Sequence, residues 1–310
     1  MAANGPRPTK RSRRSKAEMQ AIRDAIFDTL EQGQPMTVRQ LFYALTVAAA
    51  IEKTEAEYKT VKRLTAEMRR SGDLPYTWFA DATRWMRKPT TFDGPEEALQ
   101  RTAETYRRAL WNDALVRPEV WVEKDALAGL LIETTSEWDV PLMVTRGYAS
   151  MSFLHSAAAA IMERGEHGQR TQIYYFGDRD PSGIDIDRAI VRGIGESLES
   201  LEGFKPGGPY GVERTFSDYA NFERVGVTED QIVEWSLPSR PTKKSDTRSK
   251  GFKGESVELD AIPPKQLRAL GREAIERHVD QHQLRVLQVA EAEERAGLEA
   301  MAASFGGAGS

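Results

Sequence analysis

"IYYFGDRDPSGIDI", residues 173–186, joins a run of bulky apolar and aromatic side chains to an abrupt acidic turn, and how it is read decides the fold. Residues 173–176 have the composition of a buried strand, and Gly177 predicts its end. Asp180-Pro181-Ser182-Gly183 makes a good turn, because proline presets the backbone angle at the second position and glycine suits the fourth. Turn chemistry does not require Asp178. In an extended chain Asp178 and Asp180 project to the same side, and crowded carboxylates repel unless a hard divalent cation lies between them. Two readings therefore stand, a turn or one wall of a metal site. Asp185 and Asp187 fall in the first turn of the next helix, where negative charge complements the helix dipole.

Outward from this stretch, strands alternate with helices. "EVWVEKDALAGLLIE" (119–133) reads as a strand feeding a helix, "VPLMVTRG" (140–147) as a strand, and "ASMSFLHSAAAAIMERG" (149–165) as a helix. "NFERVGV" (221–227) follows as a strand, then "TEDQIVEW" (228–235) as a capped helix and "VELDAI" (257–262) as a last strand. Pro264 opens one long helix predicted over 265–301. This alternation predicts an α/β fold with a largely parallel sheet. Ligands of such sheets gather at the carboxyl ends of the strands, where Glu123, Asp178 and Asp180 all fall. Glu258 and Asp260 alternate in the late strand, and salt bridges to nearby Arg or Lys are their expected use. His278 and His282, one turn apart on the predicted long helix, share no metal-ligand pattern with the other histidines.

The first hundred residues read differently. Residues 1–16 carry Arg7, Lys10, Arg11, Arg13, Arg14 and Lys16 without an acidic residue, which predicts a disordered basic arm, either holding phosphates or merely solvated. Three helices are predicted next, over 17–32, from Thr37 (with Gln40 completing a capping box), and over about 55–70. The third sets Val61, Leu64 and Met68 against Lys59, Lys62, Arg63, Arg69 and Arg70. "SGDLPYTWFAD" (71–81) adds a turn and a short aromatic strand, and "PEEALQRTAETYRRALW" (95–111) a helix. Three helices, a basic third one and a strand are the order of a winged helix-turn-helix domain, with Lys59, Lys62 and Arg63 as DNA-binding candidates; the alternative is a solvated basic face.

The chain of 310 residues has formal net charge −4 and no cysteine, which excludes disulfides and thiolate zinc sites. No run of 18 apolar residues is present, so no membrane span is expected, and neither is a signal peptide. A cytoplasmic, nucleoid-associated location is the expectation. The domain division reads as arm 1–16, winged-helix domain 17–117, α/β domain with a helical C-terminal extension 118–302, and flexible tail 303–310.

A glutamate ending one strand (Glu123) and an Asp-x-Asp ending a later one (Asp178, Asp180), downstream of a helical domain, resemble the Toprim module of topoisomerases, primases and certain nucleases. "TVRQLFYALT" (37–46) resembles the catalytic helix of the topoisomerase VI A subunit and the meiotic double-strand-break transesterases, whose nucleophile matches Tyr43 and whose arginine matches Arg39. "VWVEKDAL", "VTRGY" and "VELDAI" are similar to further segments of that family, in the same order, over roughly residues 17–300. The segment 239–254 has no counterpart there, and residue 42 is Phe, which leaves Tyr43 the one hydroxyl on its turn. The resemblance implies magnesium, or manganese, at Glu123, Asp178 and Asp180. It also implies double-stranded DNA as substrate, and a homodimer in which one protomer's tyrosine meets the other's metal site. No Gly-x-x-x-x-Gly-Lys-[Ser/Thr] loop occurs, so ATP-driven strand passage would need a separate GHKL-type B subunit.

The residue chemistry fits that implication. Phosphodiester cleavage needs its anionic oxygens neutralised and its attacking group held in line. A phenol of ordinary pKa, about 10, needs help to ionise. Arg39 and Tyr43 are spaced i, i+4 and share one helix face, so the guanidinium can brace the phosphate under attack. The bland alternative makes Tyr43 a core aromatic beside Leu41 and Phe42. Lys124 either touches phosphate or neutralises the acidic cluster. The leading expectation is a DNA transesterase, an isomerase forming a 5'-phosphotyrosyl link. The alternatives are a Toprim nuclease using metal-activated water and a DNA-binding module that does not cut.

Overall fold

The computed structural model describes residues 14–80, 90–201, 215–240, 252 and 254–306. Residues 1–13 of the basic arm and 241–251 within the segment 239–254 lie outside the described residues. The chain divides into two compact units, residues 1–79 and 80–310.

The first unit is built on three helices, α1 (Lys16–Gly33), α2 (Val38–Val47) and α3 (Glu55–Ser71). Each begins where a side chain satisfies backbone donors that the helix leaves orphaned. Ser15 and Glu18 form a capping box on α1, Thr37 and Gln40 form the expected one on α2, and Thr54 caps α3. Arg14, which the sequence places in the basic arm, is instead tied into α3 by a bidentate pair with the buried Glu57 at 2.7 and 2.9 Å. Apolar residues at helical spacing (Ile22, Ile26 and Leu30 of α1, Leu41 and Leu45 of α2, Val61, Leu64 and Met68 of α3) make the core. The aromatic strand predicted over 71–81 does not form. Tyr76–Trp78 is a single 3-10 turn, and Phe79 makes one isolated parallel bridge to Met36. The Trp78 ring packs instead against Phe27 at 5.4 Å.

The second unit is α/β. Four strands, β1 (Val116–Val122), β2 (Leu142–Val144), β3 (Arg170–Phe176) and β4 (Ala220–Gly226), form an all-parallel sheet in the order β2-β1-β3-β4. β1 and β3 pair in register from Val116↔Arg170 to Val122↔Phe176, which brings their carboxyl ends level. Helices fill the crossovers: α4 (Pro95–Thr105) before the sheet, then α5 (Asp125–Glu137), α6 (Met151–Glu166), α7 (Pro181–Leu201), the short α8 (Phe216–Tyr219) and α9 (Glu229–Glu234). Alternation along the strands decides the faces. Trp121, Ile173 and Tyr175 pack with Leu154, Ala158 and Ile161 of α6 and Ile186, Ile190 and Ile194 of α7.

Three sequence expectations change. Residues 257–262 are not a strand: Ser256 and Val257 make isolated antiparallel bridges to Arg240 and Arg179, and Leu259–Ala261 is a 3-10 turn. The long helix predicted over 265–301 is two, α10 (Pro264–Glu276) and α11 (Gln281–Gly306), because Asp280 accepts the N–H groups of His282 and Gln283 and starts a new helix. That break separates His278 from His282, and His278 pairs instead with Tyr174 at 2.6 Å. The unit boundary falls after Phe79, so α4 belongs to the second unit. α4 packs on α11, tied by Tyr106–Glu294 at 2.7 Å and Arg295 to the Tyr106 carbonyl at 2.8 Å. α11 itself continues past the tail boundary expected at residue 303. Among the described residues no helix is long and apolar enough to cross a membrane.

Ile173 is fully buried in the central strand β3. Ile173→Ala is expected to lose about 2–5 kcal/mol of stability through lost burial and a residual cavity, measured as a lower urea midpoint with unchanged m-value.

Candidate active site

The acidic site forms at the carboxyl ends of β1 and β3, and each turn there has a local cause. Glu123 leaves β1 with its N–H bonded to the Phe176 carbonyl at 2.8 Å, and its Oε2 accepts the N–H of Asp178 at 2.8 Å. Gly177 carries no Cβ because one would lie 2.5 Å from the Tyr175 ring. At Gly183 a Cβ would come within 2.0 Å of the Asp178 carbonyl oxygen. The Asp180 side chain turns back to accept the Gly183 N–H at 2.8 Å, so Asp180 serves the predicted turn at the start of α7.

Glu123, Asp178 and Asp180 are close enough to act on one another electrostatically. Burial and then the Asp178 charge, with a smaller push from Asp180, raise the Glu123 carboxyl from its ordinary 4.5 to about 7. Burial also raises Asp178, opposed chiefly by Lys124. Lys124 Nζ lies 2.8 Å from Asp178 Oδ1, 2.7 Å from Asp260 Oδ2 and 3.7 Å from Glu258 Oε2. Burial alone would lower that ammonium, but the three carboxylates outweigh it and hold it protonated. Lys124 thus neutralises the acidic cluster, one of the two uses expected of it. Glu258 and Asp260 take the salt bridges expected of them, Glu258 also pairing with Arg240 at 2.7 Å.

Sequence reasoning missed Arg224. From β4 its Nε and NH2 grip Asp187 at 2.7 Å each, while NH1 reaches the Gly177 carbonyl at 2.7 Å and NH2 that of Gly183 at 3.1 Å. Asp187 therefore anchors a clamp on the acidic loop rather than complementing a helix dipole. Asp185 accepts a hydrogen bond from Tyr148 at 2.5 Å. Nothing local marks Arg224, because the Asp187, Gly183 and Gly177 groups it clamps lie 37 to 47 residues away. Glu119, four residues before Glu123, is buried and paired with Arg164 at 2.6 Å; its chemistry is structural.

Among the described residues no group of three or more His, Cys, Asp or Glu side chains is placed to hold a metal ion. Magnesium is commonly held by one or two carboxylates with water and substrate phosphate. The donor set suits that mode. It is all oxygen, it carries excess negative charge that raises Glu123, and the described residues offer no donor to the second Glu123 oxygen.

Tyr43 belongs to the first unit and is only 4% exposed. Four consecutive residues of α2, Gln40 to Tyr43, are buried. The Tyr43 ring lies 5.5 Å from Phe42, and Lys53 Nζ stands 5.1 Å over its face. Half-buried Arg39 stands 5.5 Å over Tyr58, as does Lys62 at 5.7 Å. Lys59, Lys62 and Arg63 are exposed along α3, with Arg63 paired to Glu67 at 2.6 Å.

No protein-family model matches the chain, and no curated protein matches it.

Two outcomes follow from this geometry. The folded Glu123 carboxyl titrates near 7 and an unfolded one near 4.5, so between those values the folded state binds more protons and stability falls as pH rises through the window. Without divalent ions, Glu123→Gln should melt higher than the parent at pH 8, and the two should converge toward pH 5. Gly183→Ala should cost about 1–3 kcal/mol by forcing the Asp178 carbonyl aside, read from chemical denaturation.

Proposed function

We propose that the protein is a metal-dependent enzyme that cleaves DNA by phosphoryl transfer. The observation that carries this reading is the gathering of Glu123, Asp178 and Asp180 at the ends of adjacent parallel strands, with Glu123 raised to about 7 by burial and by Asp178. Within that class we propose a transesterase of the topoisomerase VI A-subunit kind, with a winged-helix domain carrying Tyr43 and a Toprim domain carrying the acidic site. Double-stranded DNA is the substrate, the exposed basic face of α3 its expected contact, and a homodimer the working form. A GHKL-type ATPase subunit is the expected partner if strands are passed.

Glu123, Asp178 and Asp180 would hold magnesium, which neutralises the anionic oxygens of the scissile phosphate. In the homodimer the Tyr43 phenol oxygen of one protomer would attack phosphorus at the other's acidic site, its proton passing to water, while the bond to the leaving sugar oxygen breaks and that oxygen takes a proton from water. Arg39, one turn earlier on α2, braces the phosphate. The phosphodiester energy is kept in the phosphotyrosyl link, and the strand can be resealed.

A second reading, a nuclease in which water attacks, is favoured by one observation: Tyr43 is nearly buried beside Phe42 and under Lys53. Tyr43→Phe removes one oxygen and preserves the ring packing. Incubated with supercoiled DNA and magnesium, with and without an ATPase partner, and quenched with detergent, the parent should yield DNA that migrates with the polypeptide until protease is added. Tyr43→Phe should lose adduct and cutting to background while binding DNA as before. Undiminished cutting with unattached ends would establish the nuclease instead.

A further inference from the structure

We propose that Tyr174 and His278 form a proton-operated latch, which pins the elbow between α10 and α11 to the central strand at neutral pH and releases it in mild acid.

Residues 277–280 join α10, which packs on α5 and β4, to α11, which packs on α4. The elbow's backbone is held by single turns, the His278 N–H to the Ile275 carbonyl at 3.0 Å and the Val279 N–H to that of Glu276 at 3.2 Å. Among the described residues two side-chain contacts tie it to the sheet. Arg277 reaches Glu223 of β4 at 2.9 and 3.1 Å, an exposed ion pair of a kind that contributes little. His278 Nε2 meets Tyr174 Oη of β3 at 2.6 Å, half-buried, with the two rings 5.9 Å apart and Arg277 standing 5.0 Å over the Tyr174 face.

That second contact works in one protonation state. Burial raises the Tyr174 phenol above its ordinary 10, so it keeps its proton and donates. Nε2 must then accept, which only the neutral imidazole with its proton on Nδ1 can do. Protonating His278 turns Nε2 into a donor facing a donor and sets a second positive charge beside Arg277. Burial first, and then Arg277, hold the imidazole below its ordinary 6.5, while Glu223 pulls weakly the other way. Asp280, two residues on, is occupied by the N–H groups of His282 and Gln283. The open elbow therefore takes the proton first. The latch is at full strength above 6.5 and weakens as pH falls below it. Its release loosens the joint on which α11 turns while α10 stays packed on α5.

The test is amide hydrogen exchange on the full chain at about pH 8 and about pH 5, the ends of the range in which histidine titrates, with rates corrected for the intrinsic pH dependence of exchange. In the parent, protection across residues 276–284 should fall about 2- to 10-fold at the lower pH, the worth of one hydrogen bond, while the β3 amides stay protected. His278→Gln cannot titrate and should protect the elbow equally at both. Tyr174→Phe keeps the ring under Arg277 but loses the donor, so at the higher pH it should show the weaker protection that the parent shows only at the lower. A parent elbow equally protected at both pH values overturns the proposal, and so does a His278→Gln that keeps the parent's response. A Tyr174→Phe elbow protected like the parent's at both pH values overturns it as well. Retained β3 protection in each variant shows that the sheet has stayed folded.

Discussion

The second unit depends on the handling of negative charge at the carboxyl ends of β1 and β3. Parallel pairing in register puts Glu123 and Asp178 side by side where the sheet is covered on both faces, and ions in such surroundings lose hydration that only close partners replace. Asp178 is the hub. Its N–H goes to Glu123, its Oδ1 to Leu259 N–H and Lys124, and its carbonyl stands 3.3 Å from Arg224. Through one residue, β1, β3, β4 and the segment 258–260 are bound together.

Arg224 and Lys124 divide the work. Arg224 is planar and forked, so it can hold both oxygens of Asp187 and two loop carbonyls at fixed angles; it sets the shape of the acidic loop. Lys124 is a point charge and sets the charge balance among three carboxylates. The two absent Cβ atoms at Gly177 and Gly183 let the loop close over the Tyr175 ring and against the Asp178 carbonyl. The chemistry proposed for the site uses what this arrangement leaves over: the carboxylates of Glu123, Asp178 and Asp180 at adjoining strand ends.

The first unit poses the opposite physical problem. Its α2 is buried along one run of four residues, and cations lie over the faces of its aromatic rings, Lys53 over Tyr43 and Arg39 over Tyr58. The positive charges of Arg39 and Lys53 therefore serve the packing of this helix. On α3 the division is cleaner, since Val61, Leu64 and Met68 face the core while Lys59 and Lys62 face solvent.

Much of this was legible along the chain because it is local. The capping box of Thr37 and Gln40, the turn at Asp180 to Gly183, the α3 stripe and the β–α alternation each arise from residues within a few positions of one another, where propensity and periodicity act. Glu123 and the Asp-x-Asp could be placed at strand ends for the same reason. That the sheet is parallel followed from the helical connections, whereas the order β2-β1-β3-β4 is a product of the tertiary structure. Tertiary structure decided what depends on partners far along the chain. It turned residues 257–262 from a strand into a turn that delivers Glu258 and Asp260 to Lys124, some 136 residues from Asp260 in sequence. It paired Asp187 with Arg224, and it enclosed Tyr43. A strand-like apolar pattern states only that side chains will be buried; whether the backbone finds a ladder, and which charge finds which, depends on the free energy of contacts that no short stretch of sequence contains.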